Sequence, residues 1–162
     1  MALRCNSAKS TLYGFELEAF YSPGERTEAF VTAGYSKTAF DTFVAANQTT
    51  GVPEDLDGNE FPASPRWTGS VGMTHRFSNR IDLDIDGAFT DRSFLSIFNN
   101  RSQLSDSFFI VNARIGYAAE RWSEHLYARN LFDRQYLTRR RLDDSNTAGN
   151  SRVLGISLTA QI

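Results

Sequence analysis

The sequence predicts an all-β chain: an antiparallel up-and-down meander of about seven strands, laid out as an open segment of a transmembrane β-barrel. Three observations carry this. Apolar and polar residues alternate with a period of two through most of the chain, which sets successive side chains on opposite faces of a strand and does not match the period of a helix. The polar interruptions alternate in length, short then long, three times over, as in a barrel whose turns are tight on one side of a membrane and extended on the other. No window approaches the roughly 20 consecutive apolar residues of a membrane helix. A hydrophobic content of 41% and a mean hydropathy of −0.38 fit soluble and membrane β proteins alike, because a barrel strand needs an apolar residue only at every second position.

The elements follow in order. A first strand, about Lys9 to Tyr21, places Tyr13, Phe15, Leu17, Ala19 and Tyr21 opposite Gly14, Glu16 and Glu18. Ser22-Pro23-Gly24-Glu25 reads as a tight turn by its Pro-Gly content. The second, about Arg26 to Phe43, sets Ala29, Val31, Ala33 and Tyr35 against Phe30, Thr32, Gly34 and Ser36. From Val44 to Arg66 three of the four prolines fall among Asn, Thr, Gly and Asp, which reads as a long loop. The third strand, about Trp67 to Phe77, turns within Ser78-Asn79-Arg80 into the fourth, which has the clearest alternation: Ile81, Leu83, Ile85, Gly87 and Phe89 against Asp82, Asp84, Asp86, Ala88 and Thr90. A polar stretch near Asn99 to Asp106 leads to a hairpin. Its first strand puts Phe109, Val111, Ala113, Ile115 and Tyr117 opposite Asn112, Arg114 and Gly116; its second alternates Trp122, Leu126 and Ala128 with His125, Tyr127 and Arg129. A further polar loop, about Asp133 to Ser151, precedes the last strand, where Leu154, Ile156, Leu158, Ala160 and Ile162 share a face.

Chemistry-bearing motifs are few. Net charge is −2 with both signs mixed, so no electrostatic footprint for nucleic acid is present. The basic run Arg139 to Arg141 is followed at once by Asp143 and Asp144, as in a solvated loop. The lone Cys5 allows no internal disulfide and no Cys-rich metal cage. Asp82, Asp84 and Asp86 have the spacing of a calcium loop, but Leu83 and Ile85 between them mark one face of a strand, and the Gly and distal Glu are missing. His75 and His125 stand in separate strands without a carboxylate pattern. No Gly-x-Ser-x-Gly nucleophile elbow occurs. We therefore assign no catalytic, cofactor-binding or metal-binding residue, expect no cofactor and no enzyme activity, and leave ligand-binding residues unassigned. Residues 1–8 are expected to be a read-in or disordered segment, and Met1 to Asn6 shows no apolar core of a secretory signal.

Several segments resemble TonB-dependent outer-membrane receptors of the siderophore and iron-complex type. They are GFELE (Gly14 to Glu18), AGYSKTAFDTF (Ala33 to Phe43), FPASPRWTGSVGMTHRF (Phe61 to Phe77), NARIGY (Asn112 to Tyr117) and LYARNLFDRQY (Leu126 to Tyr136). Their order resembles that of consecutive barrel segments. The resemblance implies that residues 9–162 are the C-terminal part of such a barrel, in a bacterial outer membrane, in contact with outer-membrane lipid. It also implies a full-length parent that imports a ferric siderophore or similar small ligand with TonB-type energy coupling. The family carries a plug domain and a TonB box ahead of about 22 strands, and many outer-membrane barrels end on an aromatic residue where this chain has Ile162. The chain is accordingly expected to be a fragment, from a truncated gene or a late start, that supports no energy-dependent uptake alone. The alternative is a small self-closing or oligomeric β-barrel, or a soluble β-sheet binding protein. On the membrane reading Ile81, Leu83, Ile85 and Phe89 are expected to face lipid and Asp82, Asp84 and Asp86 the concave side, because hydrocarbon does not solvate a row of carboxylates. Tyr21, Trp67, Phe77, Tyr117 and Trp122, near strand ends, are the expected interfacial aromatics.

Overall fold

The computed structural model describes residues 9–47, 50–139 and 147–160. The expectation for residues 1–8, Cys5, and most of the Arg139 to Asp144 charge run lie outside them. The strands are β1 (Lys9–Gly24), β2 (Thr27–Thr42), β3 (Val44–Ala46), β4 (Pro53–Asp55), β5 (Trp67–Arg76), β6 (Ile81–Thr90), β7 (Phe108–Ala118), β8 (Trp122–Arg129), β9 (Leu137–Arg139), β10 (Thr147–Ala148) and β11 (Val153–Ala160). Seven of them form one sheet in chain order, β1-β2-β5-β6-β7-β8-β11, with every pairing antiparallel. This is the predicted meander. Among the described residues no second sheet packs against it.

Direct partners trace one continuous row across all seven strands: Tyr21, Ala29, Met73, Ile85, Ala113, Ala128 and Leu154. Opposed residues share a face, so the row carries the alternation of each strand unbroken from edge to edge. The strands also slide along it. In β1 the row crosses at Tyr21, near the strand's end at Gly24; in β11 it crosses at Leu154, next to the strand's start at Val153. The slide averages a little over one residue per strand, which with a rise of about 3.3 Å and a strand spacing of about 4.8 Å corresponds to a tilt of about 40°. Stagger of this size is what a sheet acquires when it follows the wall of a barrel.

The connections alternate as predicted, with differences in detail. β1 continues through Ser22 and Pro23 to Gly24, so the first turn sits at Glu25 and Arg26 rather than at Ser22 to Glu25. An irregularity in register between Tyr21 and Gly24 absorbs the proline, which donates no ladder hydrogen bond. The long connections contain structure of their own. β3 pairs with β4 and β9 with β10, a three-residue 3-10 turn spans Arg101–Gln103, and Phe94 bridges Leu104. Polar composition concealed these because ladders of two or three residues leave almost no periodic signal.

Candidate functional site: the polar face and the loop base

On one face of the sheet, charge is paired across strands. Arg114 of β7 donates from Nε to Asp84 Oδ2 on β6 at 2.8 Å, with its Nη2 2.7 Å from the same oxygen and 3.9 Å from Asp82 Oδ2. Thr74 of β5 donates to Asp84 Oδ1 at 2.7 Å, and Asn112 donates from Nδ2 to Asp86 Oδ2 at 2.8 Å. His125 Nε2 of β8 lies 3.7 Å from Asp82 Oδ1. Each of the three aspartates is thus engaged by a side chain of a neighbouring strand. Farther toward β1, Arg76 pairs with Glu28 at 3.4 Å and Thr32 shares a hydrogen bond with Ser70 at 2.7 Å. Glu16 and Glu18 share this face by register. Phe20 and Phe30 are opposed on it too, and the Phe30 ring occupies the space that a Cβ at Gly72 would need.

The opposite face is apolar and bare. Ile85 is 40% exposed, Ile156 68% and Leu158 70%. Aromatic groups mark its two ends. Toward the long connections Tyr35 and Trp67 approach to 4.8 Å, with Phe15 5.9 Å from Trp67; at the short turns Tyr117 and Trp122 lie 5.6 Å apart and His75 meets Phe77 at 4.4 Å. His75 belongs to this apolar face by register with Leu83, whereas His125 lies on the polar one. The two histidines cannot share a ligand, and no cluster of three metal-ligating side chains exists among the described residues. Glu124, which interrupts the apolar alternation between Trp122 and Leu126, lies in the apolar face opposite Tyr117 and Leu158 and is exposed.

The third group of residues was legible only as a motif. In ARNLFD, Asn130 follows β8 with a φ of +49° and is 4% exposed, a left-handed position that asparagine tolerates better than most residues. Its Oδ1 accepts from Arg134 N at 2.8 Å, and its Nδ2 donates to Arg134 O at 3.0 Å and Asn150 O at 2.8 Å. Asp133 Oδ1 accepts from Arg152 N at 2.8 Å. One asparagine and one aspartate thus hold both legs of the β8–β11 connection together. Neighbouring connections also touch: Asn99 Oδ1 accepts from Glu60 N at 2.7 Å, and Asp106 Oδ2 accepts from Leu137 N at 3.3 Å, while Tyr136 stacks on Phe108 at the start of β7 at 4.1 Å. At the base of the first long connection Glu60 hydrogen-bonds the Arg66 guanidinium, and chiefly that bond holds Arg66 above the usual arginine range.

Comparison with known proteins adds a family. The family model for the TonB dependent receptor-like β-barrel matches residues 3–131. Among solved structures, the siderophore receptor PiuA from Acinetobacter baumannii aligns with a TM-score of 0.80 and 17% identity over 94% of this chain, covering 22% of its own. The ferric yersiniabactin uptake receptor FyuA from Yersinia pestis aligns with a TM-score of 0.79 and 21% identity over 94% of this chain and 24% of its own. For the ferric citrate transporter FecA the TM-score is 0.72 and the identity 19%, over 94% of this chain and 25% of its own. The chain therefore spans about a quarter of each. At these identities the likeness is one of fold.

Proposed function

Because this chain belongs to the TonB-dependent receptor-like β-barrel family, we propose that its seven strands are a section of wall in a bacterial outer-membrane receptor whose complete form imports a ferric siderophore or similar scarce ligand. The observation that carries this reading is the separation of the two faces. Large apolar side chains stay exposed on one side across every strand of the sheet, interrupted there by Glu124, while Asp82, Asp84 and Asp86 with their partners lie on the other, together with Phe20 and Phe30. In water such a face is an aggregation hazard; against hydrocarbon it is solvated. The apolar row through Ile85 then faces lipid and Asp82, Asp84 and Asp86 face a wet lumen. TonB-type coupling and the ligand belong to the complete receptor.

Topology counts against a self-closing small barrel. With seven alternating strands, β1 and β11 run in the same direction, so closing one on the other, in one chain or in a head-to-tail ring, would make a parallel pair inside an antiparallel barrel. Two-fold pairing of β1 with β1 of a second copy would be antiparallel but would send the long connections of the two copies to opposite sides of the membrane. An odd number of further strands resolves both difficulties. The soluble alternative lacks anything to cover the apolar face among the described residues.

The test is expression behind an export signal in a cell deprived of its own siderophore receptors. The reading expects the chain in the outer-membrane fraction with strand segments protected from protease, and no restored growth on ferric siderophores. A soluble, monomeric periplasmic product would reject the membrane placement; TonB-dependent growth would show that this wall alone is a working transporter.

A further inference from the structure

We propose that Asp86, Asn112 and Asn130 form a relay through which the polar face of the sheet sets the base of the β8–β11 connection. Asn112 is committed at both ends of its amide. Its Nδ2 donates to Asp86 Oδ2 at 2.8 Å, and its Oδ1 accepts from the backbone N–H of Asn130 at 3.1 Å. Asn130 in turn holds Arg134 and Asn150 through its own amide. A single rotamer of Asn112 satisfies both partners, so taking away the Asp86 carboxylate removes what fixes that rotamer and releases the Asn130 N–H. Asn130 is almost fully buried, and an unsatisfied donor there is costly. The connection must then shift to find another acceptor.

The consequence is directional. A cationic group arriving on the polar face and engaging Asp86 would withdraw it from Asn112 and loosen the two legs of the connection. A group that binds elsewhere on that face, at Arg129 for instance, would not. The relay needs only the sheet and does not depend on that sheet facing a membrane.

Hydrogen exchange of the whole chain in detergent micelles tests it, read at the amides of Arg134 and Arg152. Asp86→Ala, Asn112→Ala and Asn130→Ala are each expected to speed exchange there by about fivefold or more, the factor one typical hydrogen bond supports. The double variant Asp86→Ala/Asn112→Ala should exchange no faster than Asn112→Ala alone. Asp86→Asn, which keeps an acceptor oxygen, should restore protection, and Val111→Ala, on the other face of the same strand, should leave it unchanged. Loop exchange indifferent to Asp86→Ala and Asn112→Ala while β6 and β7 stay protected would overturn the relay, as would additive effects in the double variant. Fast exchange throughout β6 and β7 in the unaltered chain would overturn the sheet itself, a distinct and separately visible outcome.

Discussion

Leu56, in the connection between β2 and β5, is 2% exposed, whereas Ile85, in the middle of the central strand, is 40% exposed. In a water-soluble domain the two would be reversed. The connection behaves like a small soluble unit: Leu56 donates its N–H to Phe43 O at 2.8 Å, and Phe40 lies 4.8 Å from both Phe43 and Phe61. The sheet has one charged, hydrogen-bonded face and one that no other part of the described chain covers. On the membrane reading this connection and the sheet are stabilised against different solvents, so a substitution on the apolar face should leave the β2–β5 connection intact, and one inside that connection should leave the sheet intact.

The sharpest break is expected from Ile85→Arg. On the lipid-facing reading it costs about 2 to 4 kcal/mol, measured as a lowered unfolding midpoint in lipid vesicles, while protease resistance of residues 43–66 stays unchanged. Asp86→Arg, its neighbour on the other face, should cost less. Equal costs would mean that the two faces meet the same solvent.

Leu56→Ala is the reciprocal change. Emptying that site should cost the connection about 2 kcal/mol or more and open it to limited proteolysis, with the strand signal in circular dichroism intact. Loss of the sheet along with the loop would show that the connection nucleates the wall.

Arg114→Ala tests the polar face. Its guanidinium side chain is half exposed, so the pair with Asp84 is worth about 1 kcal/mol or less. A double-mutant cycle with Asp84→Ala should return a coupling of about that size, diminished by salt. A coupling that salt leaves untouched would place the pair in a dry environment rather than a wet lumen.

How much of this the sequence revealed differs between the same two regions. The wall was legible because its information is periodic: Ile81 to Phe89 against Asp82 to Thr90 states a register that any neighbouring strand must match. The connections were not, because their order comes from single residues in particular places. Nothing in the spacing of Asn130 announces that one amide serves Arg134 and Asn150, and Leu56 stands alone between charged residues. The motif ARNLFD marked the position of the clasp by resemblance, and only the hydrogen bonds gave it a physical meaning. Glu124 is hidden for the opposite reason: the alternation of Trp122, Leu126 and Ala128 around it is strong enough to survive a charged residue in its midst.

That exception supplies the smallest and most discriminating effect. Glu124 shares the apolar face with Trp122 and Leu126, and no hydrogen bond or ion pair reaches its carboxylate among the described residues. If that face meets hydrocarbon near the short turns, Glu124→Leu should raise stability in lipid vesicles by a fraction of a kcal/mol, on the order of 0.5, since carboxylates near the interface cost less than basic groups at mid-bilayer. Glu120→Leu, in the adjoining turn, should do nothing measurable. A gain in vesicles that vanishes in a soluble amphipathic polymer would tie the effect to lipid. A loss on Glu124→Leu would instead show that the carboxylate is engaged, and β11, whose outer edge pairs with no strand among the described residues, is where a partner's cation could reach it.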